Sequence, residues 1–146
     1  MKKLLVNLAN INPYELLSNL LIVLLVANGV LRSWDFITMS TSNLEQVSPL
    51  YVTLAQYIDI HALGWLFLLF SLTLFLSIFF KGQTGYIFLV LGGLGAGIIH
   101  LIFGVVASDG AVLFVTYYFM LLCGVIQFIL VFVGGIQLWK IKQLKK

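Results

Sequence analysis

Long apolar stretches alternate with short polar connections along this chain. Four stretches reach the length of about 20 residues that an α-helix needs to cross a membrane. They are residues 13–33, 61–80, 86–107 and 111–139, the last of which is long enough to tilt. Because unpaired backbone groups are costly in hydrocarbon, each stretch must be helical. The pattern predicts an all-α integral membrane protein with four transmembrane helices in a single domain, residues 1–146.

The start of the first span carries a clear helix signal. Asn12 suits the N-cap, Pro13 suits the first helical position, and Glu15 completes a capping box. Residues 1–11 place their leucines and isoleucine on one side, between asparagines that interrupt the apolar run. We therefore expect an amphipathic segment on the membrane surface there, rather than a cleaved signal peptide.

The connections between the spans differ in length. Residues 81–85 and 108–110 are tight loops, so the second, third and fourth spans should be antiparallel neighbours. Residues 34–60 form the one sizeable extramembrane piece, and two helix-start motifs occur in it, at 42–45 and 48–49. This pattern predicts a short interfacial helix on the outer leaflet that leads into the second span.

Composition excludes a soluble domain, because 62% of the residues are hydrophobic and only 9% are charged. The few basic residues set the orientation, since positive charge accumulates on the cytoplasmic side. With both termini in the cytoplasm, only Arg32 lies outside, and residues 140–146 form a cytoplasmic basic tail. The lysines then on the inner side are Lys2, Lys3, Lys81, Lys140, Lys142, Lys145 and Lys146. We expect a multi-pass protein of the bacterial cytoplasmic membrane, in keeping with the lack of an Asn-x-Ser/Thr glycosylation site.

Aromatic and basic side chains at the span ends predict anchoring in the lipid headgroup region. Tryptophan is typical of both membrane interfaces, and lysine is typical of the anionic inner leaflet. The predicted anchors are Trp34, Trp65, Trp139, Lys140 and Lys142. No base-stacking or recognition-helix pattern accompanies the basic residues, so a nucleic-acid partner is not expected.

The third span is rich in glycine on one helix face. Gly93, Gly97, His100 and Gly104 recur at intervals of four, three and four residues. Small residues at this spacing let two helix backbones approach closely in lipid. Two interpretations stay open: packing inside one bundle, or a seam between identical subunits.

Four polar side chains within the spans are candidates for a polar path. An ionisable group inside a span is a functional candidate, and His100 is either a hydrogen-bonded neutral imidazole or a group that relays protons. Metal ligation by His100 would require symmetric assembly. Arg32 either anchors the outer interface, paired with Asp35 or Asp59, or lines an outer vestibule. The candidates are His100, Asn28, Arg32 and Gln127, with Gln127 expected to bond a neighbouring helix.

Catalytic motifs are missing from the sequence. It contains no HExxH, CxxC, GxSxG or nucleotide-binding loop, and Cys123 is the sole cysteine. A thiolate in an apolar span is unfavourable, although spacing alone leaves a Cys123–His100 dyad open. We therefore expect neither an enzyme nor a bound cofactor or metal ion.

In size, basic tail and lack of catalytic residues, the chain resembles small phage holins and membrane-acting effectors. This resemblance in composition implies a protein that self-associates in the bilayer to form a pore or channel-like complex. The alternative is an accessory subunit that docks a partner protein through the outer loop or the lysine tail. An intramembrane enzyme using His100 and Cys123 is a third, less favoured interpretation.

Overall fold

Four long α-helices are found in the part of the chain that the structure describes. The computed structural model describes residues 12–38, 55–56, 58–110 and 114–145, and no strand occurs within these ranges. The helices are α1 (Pro13–Thr38), α2 (Ile60–Leu76), α3 (Gln83–Gly110) and α4 (Phe114–Leu144). Three of them, α1, α3 and α4, are long and apolar enough to cross a membrane, and α2 is a shorter apolar helix. Within the described residues the helical architecture is therefore confirmed, and three helices of this length and apolarity support a membrane protein. The second predicted span, residues 61–80, corresponds to the shorter α2.

Helix α1 begins where the sequence indicates and ends later. The Asn12 side chain accepts a hydrogen bond from the Tyr14 N–H at 3.1 Å, which caps the helix. At the other end the helix runs through residues 34–38, which were expected to open the outer loop. Burial of Phe36 against α3 accounts for this extension, because the side chain reaches the core only if the helix continues. The expected interfacial helix falls mainly on residues 39–54 and 57, outside the described residues.

Helix α2 is capped by a residue that was not singled out for this role. The Asp59 carboxylate accepts from the backbone N–H groups of His61 and Ala62, at 2.9 and 3.4 Å. At the other end, Ser77, Ile78 and Phe79 donate backbone bonds to the third residue before each. These bonds tighten the last turn as in a 3₁₀-helix. The helix spans ~25 Å, and the tightened turn adds ~6 Å.

Neighbouring helices pack antiparallel, and α3 lies in the centre. Its start contacts the end of α4, where Lys145 Nζ donates to Gln83 Oε1 at 3.1 Å. The α3–α4 contact is the most extensive, followed by α1–α2 and α2–α3. Half of the most apolar window of α3 is buried, against 22% for α1 and 28% for α4. Helices α1 and α4 therefore leave most of their apolar residues outside the core, as expected of helices surrounded by lipid.

Among the described residues the interior forms two apolar clusters, one towards each end of the bundle. The cluster nearer Trp34 includes Phe36, Phe67, Phe103 and Met120. The cluster nearer Lys81 includes Ile22, Leu25, Leu74 and Leu89. Polar side chains lie between the two clusters, and they form the candidate site.

Candidate functional site

A group of polar side chains from three helices lies in the middle of the bundle, and we call it the polar core. It consists of Asn28 of α1, His100 of α3, and Cys123 and Gln127 of α4. The second helix covers it with Phe67, whose ring lies edge-on to the His100 imidazole with centroids 4.8 Å apart. All four helices therefore meet at this level. Three of the four residues predicted to line a polar path are brought together here.

His100 and Gln127 form the centre of the polar core. The His100 Nδ1 lies 3.0 Å from the Ala96 carbonyl oxygen and 2.8 Å from Gln127 Oε1. Since a backbone carbonyl only accepts, Nδ1 carries the hydrogen and donates to both oxygens. This geometry fits the expectation of a hydrogen-bonded neutral imidazole, and the partner on the neighbouring helix is Gln127.

Two nitrogen atoms of this pair have no hydrogen-bond partner within the described structure. They are His100 Nε2 and Gln127 Nε2, and both side chains are only 1% exposed. In the neutral tautomer, His100 Nε2 offers a lone pair, while Gln127 Nε2 offers two N–H donors. Buried polar groups are normally satisfied, and the exceptions often mark a functional group or an ordered water.

Asn28 and Cys123 form the second contact of the polar core. The Asn28 amide donates to Cys123 Sγ at 3.7 Å and joins α1 to α4. His100 bonds Ala96 and Gln127 instead, so the two members of the conceivable Cys123–His100 dyad have separate partners. The described residues also contain no group of three His, Cys, Asp or Glu side chains able to hold a metal ion.

Arg32 lies one turn beyond Asn28, towards the Trp34 end. Its guanidinium carbon is 5.5 Å from the centroid of the Phe103 ring, a cation–π contact with α3. Of the two carboxylates expected to pair with it, Asp59 is bonded to the first turn of α2. Arg32 is therefore held over Phe103, a member of the apolar cluster nearer Trp34.

The predicted glycine face of α3 packs against α4 of the same chain. A Cβ added at Gly93 would meet Val131 at 3.0 Å, and one at Gly97 would meet Phe128 at 3.2 Å. At Gly104 it would meet the Leu121 side chain at 2.8 Å. The helix-packing interpretation therefore describes the contact seen within the chain.

Tighter contacts occur at glycines outside the predicted glycine face. Gly92 abuts the backbone of Leu74 in α2, and Gly29 abuts the Ser71 side chain. The glycine-rich segment 92–97 therefore serves two faces of α3, one towards α2 and the other towards α4. The sequence does indicate this, because neighbouring positions of a helix cannot all lie on one face. A segment with several glycines close together must therefore contact more than one helix.

The predicted anchors lie at the two ends of the bundle. Trp34 and Trp65 are exposed near the ends where α1 stops and α2 starts. Trp139 is exposed at the opposite end, together with Lys140 and Lys142. We call the end with Trp34 and Trp65 the Trp34 end. The opposite end, where the α2–α3 connection also lies, is called the Lys81 end.

A polar cleft opens at the Lys81 end, between the first turns of α1 and the α2–α3 connection. Its volume is about 380 Å³. Glu15 and Asn19 line one wall, and Lys81 and Tyr86 line the other. No local pattern in the sequence indicates this cleft, because Glu15 and Lys81 are brought together only by the packing of α1 on α2.

Comparison with protein-family models, curated proteins and solved structures finds no match to this chain. The fold and the polar core therefore define its class, a small multi-helix membrane protein with a buried polar centre.

Proposed function

We propose that this protein is a non-enzymatic membrane protein that acts by assembling in the bilayer into a pore or channel-like complex. The observation that carries the proposal is the polar core, where buried His100 and Gln127 each keep a nitrogen without a partner. Polar groups at membrane depth are costly and typically mark a path for ions or protons. A neutral imidazole can accept a proton at Nε2 and release one at Nδ1, so His100 suits such a path.

In this proposal the chain crosses the membrane four times, with both termini and the Lys81 end in the cytoplasm. The short α2 completes the crossing with its tightened last turn, since ~31 Å matches the ~30 Å of the hydrocarbon core. The exposed lysines Lys81, Lys140 and Lys142 at one end support this orientation. The polar core then lies near the middle of the bilayer.

The described conformation corresponds to a closed state in this proposal. Apolar side chains occupy the bundle on both sides of the polar core, with Phe36 and Phe103 above it and Leu74 and Leu89 below it. Hydrophobic constrictions of this kind exclude water and so stop ions. To open, the apolar side chains on the two sides of the polar core must separate. We propose that the assembly of several chains drives this separation.

Self-association in this proposal uses surfaces other than the contact between α3 and α4. The Gly97 face is occupied within the chain, whereas the apolar face of α1 with Leu17, Leu24 and Leu31 is exposed. Chemical crosslinking of the full chain in native membranes tests this step. We expect homo-oligomers, and a foreign protein in stoichiometric amount would instead favour the accessory-subunit function.

Flux through reconstituted vesicles tests the pore itself. The full chain is incorporated into vesicles that hold a pH-sensitive dye and a potassium gradient. We expect proton or potassium flux above that of empty vesicles, and at least a tenfold loss in His100→Leu. Thr73→Val is the matched control, because Thr73 bonds its own helix at Leu69 and lies outside the polar core. The absence of flux at densities where crosslinking detects oligomers would refute the proposal.

A further inference from the structure

The cleft at the Lys81 end carries charges of opposite sign on opposite walls. Glu15 belongs to the first turn of α1, and Lys81 belongs to the connection between α2 and α3. Both side chains are exposed, and within the described structure no ion pair joins them. A ligand that fills this space therefore meets an acceptor on one side and a cation on the other.

Neutral polar groups surround these two charges. Ser18 and Asn19 follow Glu15 on the same face of α1, and the Tyr86 side chain lies on the α3 side. Hydroxyl and amide groups of this kind bond the oxygen atoms of a polar headgroup. The rim of the cleft is therefore suited to a polar ligand that carries both charges.

The inner part of the cleft is apolar. Ile22, Ile78 and Leu89 line it, and Ile22 and Leu89 also belong to the apolar cluster nearer Lys81. A freely soluble polar molecule would gain little from this surface. A ligand with a polar head and an apolar body matches both parts.

We propose that this cleft binds the headgroup of a phospholipid that carries a primary ammonium, of the phosphatidylethanolamine type. Lys81 pairs with the lipid phosphate, and Glu15 accepts hydrogen bonds from the ammonium group. The apolar floor contacts the glycerol backbone and the first acyl carbons. A lipid is favoured over a free phosphoamine, because the cleft lies at the end of long apolar helices, at the level where headgroups are concentrated.

This site is independent of the proposed pore. None of its lining residues belongs to the polar core, and the binding of a lipid here requires no flux through the bundle. Failure of one proposal therefore leaves the other in place.

Thermal unfolding of the full-length protein in detergent micelles tests the ligand class without any substitution. Phosphatidylethanolamine, phosphatidylcholine and phosphatidylglycerol of the same acyl chains are each titrated into the micelles. We expect a saturable rise of the unfolding midpoint with phosphatidylethanolamine, at a concentration about tenfold below that needed for the other two. The choline headgroup lacks N–H donors for Glu15, and the glycerol headgroup lacks the cation.

Three outcomes would overturn the proposal. Equal shifts of the unfolding midpoint with the ethanolamine and choline lipids would show that Glu15 does not bind the ammonium group through its N–H donors. A largest shift with phosphatidylglycerol would indicate simple attraction to lysines. Soluble phosphoethanolamine is titrated in the same way, and a full shift with it alone would assign the cleft to a free phosphoamine rather than a lipid.

Charge-removing variants locate the binding. Glu15→Gln is expected to weaken phosphatidylethanolamine binding about tenfold, to the level of phosphatidylcholine. Lys81→Gln is expected to weaken the binding of both phosphatidylethanolamine and phosphatidylcholine. Lys140→Gln is the matched control, since Lys140 is exposed at the same end and does not line the cleft. An equal loss in Lys140→Gln would show that the lipid is attracted by net charge and does not occupy the cleft.

Discussion

Gly92 of α3 lies directly against Leu74 of α2. A Cβ at Gly92 would come within 2.6 Å of the Leu74 Cα and would overlap its backbone. Backbone atoms cannot move aside as the end of a flexible side chain can. The approach of α2 to the central helix therefore depends on this glycine, in the way that small residues permit close helix packing in membranes.

Gly92→Ala is expected to destabilise the bundle by about 1–3 kcal/mol, because α2 and α3 must separate to admit the methyl group. Gly135→Ala is the matched control, since a Cβ at Gly135 meets nothing within 4 Å. In a helix that change is neutral or stabilising, by up to about 1 kcal/mol. The free energy of unfolding in detergent checks both variants. Equal stabilities of the two would contradict the α2–α3 packing.

The contact between α1 and α2 is expected to show strong coupling between Gly29 and Ser71. A Cβ at Gly29 would overlap the Ser71 hydroxyl oxygen, so Gly29→Ala should be destabilising. If Ser71→Ala also removes the hydroxyl, the atom nearest to the added Cβ of residue 29 is the Cβ of residue 71, at 3.2 Å. We expect the double variant to recover about 0.5–3 kcal/mol of this loss in a double-mutant cycle. Strict additivity of the two changes would mean that the helices do not meet at these residues.

Replacing Gln127 should separate stability from function. Gln127→Leu conserves much of the volume and removes an amide nitrogen that has no partner. His100 keeps its bond to the Ala96 carbonyl. We therefore expect the free energy of unfolding to change by no more than about 1 kcal/mol, while flux through reconstituted vesicles falls. Gln137→Leu makes the same change in α4 outside the polar core, and it should leave the flux unaltered.

The contrary result for Gln127 would be equally informative. A loss of several kcal/mol in Gln127→Leu would mean that the unpaired nitrogen has a partner in the folded protein. Unchanged flux in a stable Gln127→Leu variant would remove this residue from the path.

Cys123 is expected to resist thiol reagents in the folded protein. Its side chain is buried between α4 and the neighbouring helices, and its sulfur accepts from Asn28. Labelling by maleimide in mild detergent should be at least about tenfold slower than in SDS, because it requires local opening of the bundle. Gln143→Cys in a Cys123→Ser background is the exposed reference on the same helix. Equal labelling rates at the two sites would contradict the packing of α4.

Much of the helical architecture follows from local signals in the sequence. The cap at Asn12, the proline in the first turn and the lengths of the apolar runs act within a few residues, so they can be recognised without the fold. The end of α1 could not be predicted in this way. It depends on the packing of Phe36 against Phe103, two residues that are distant in the sequence.

The candidate site was predictable by residue type but not by pairing. Polar residues in apolar spans are conspicuous, which marked His100, Gln127 and Asn28. Their partners depend on the register between helices, which is set by packing at Gly92 and Gly97. The cleft between Glu15 and Lys81 was missed for the same reason. Each residue on its own is typical of the end of a membrane span, and only the packing of the helices brings the two together.

The proposed position of the polar core at mid-depth requires α2 to cross the membrane. Single cysteines at Gln56, Lys81 and Lys145, in a Cys123→Ser background, report the side of each position when intact cells are treated with a membrane-impermeant maleimide. Gln56 precedes α2, Lys81 follows it, and all three positions are exposed. We predict labelling from outside at Gln56→Cys, and labelling only after permeabilisation at Lys81→Cys and Lys145→Cys. Labelling of Gln56→Cys and Lys81→Cys from the same side would contradict the four-crossing account.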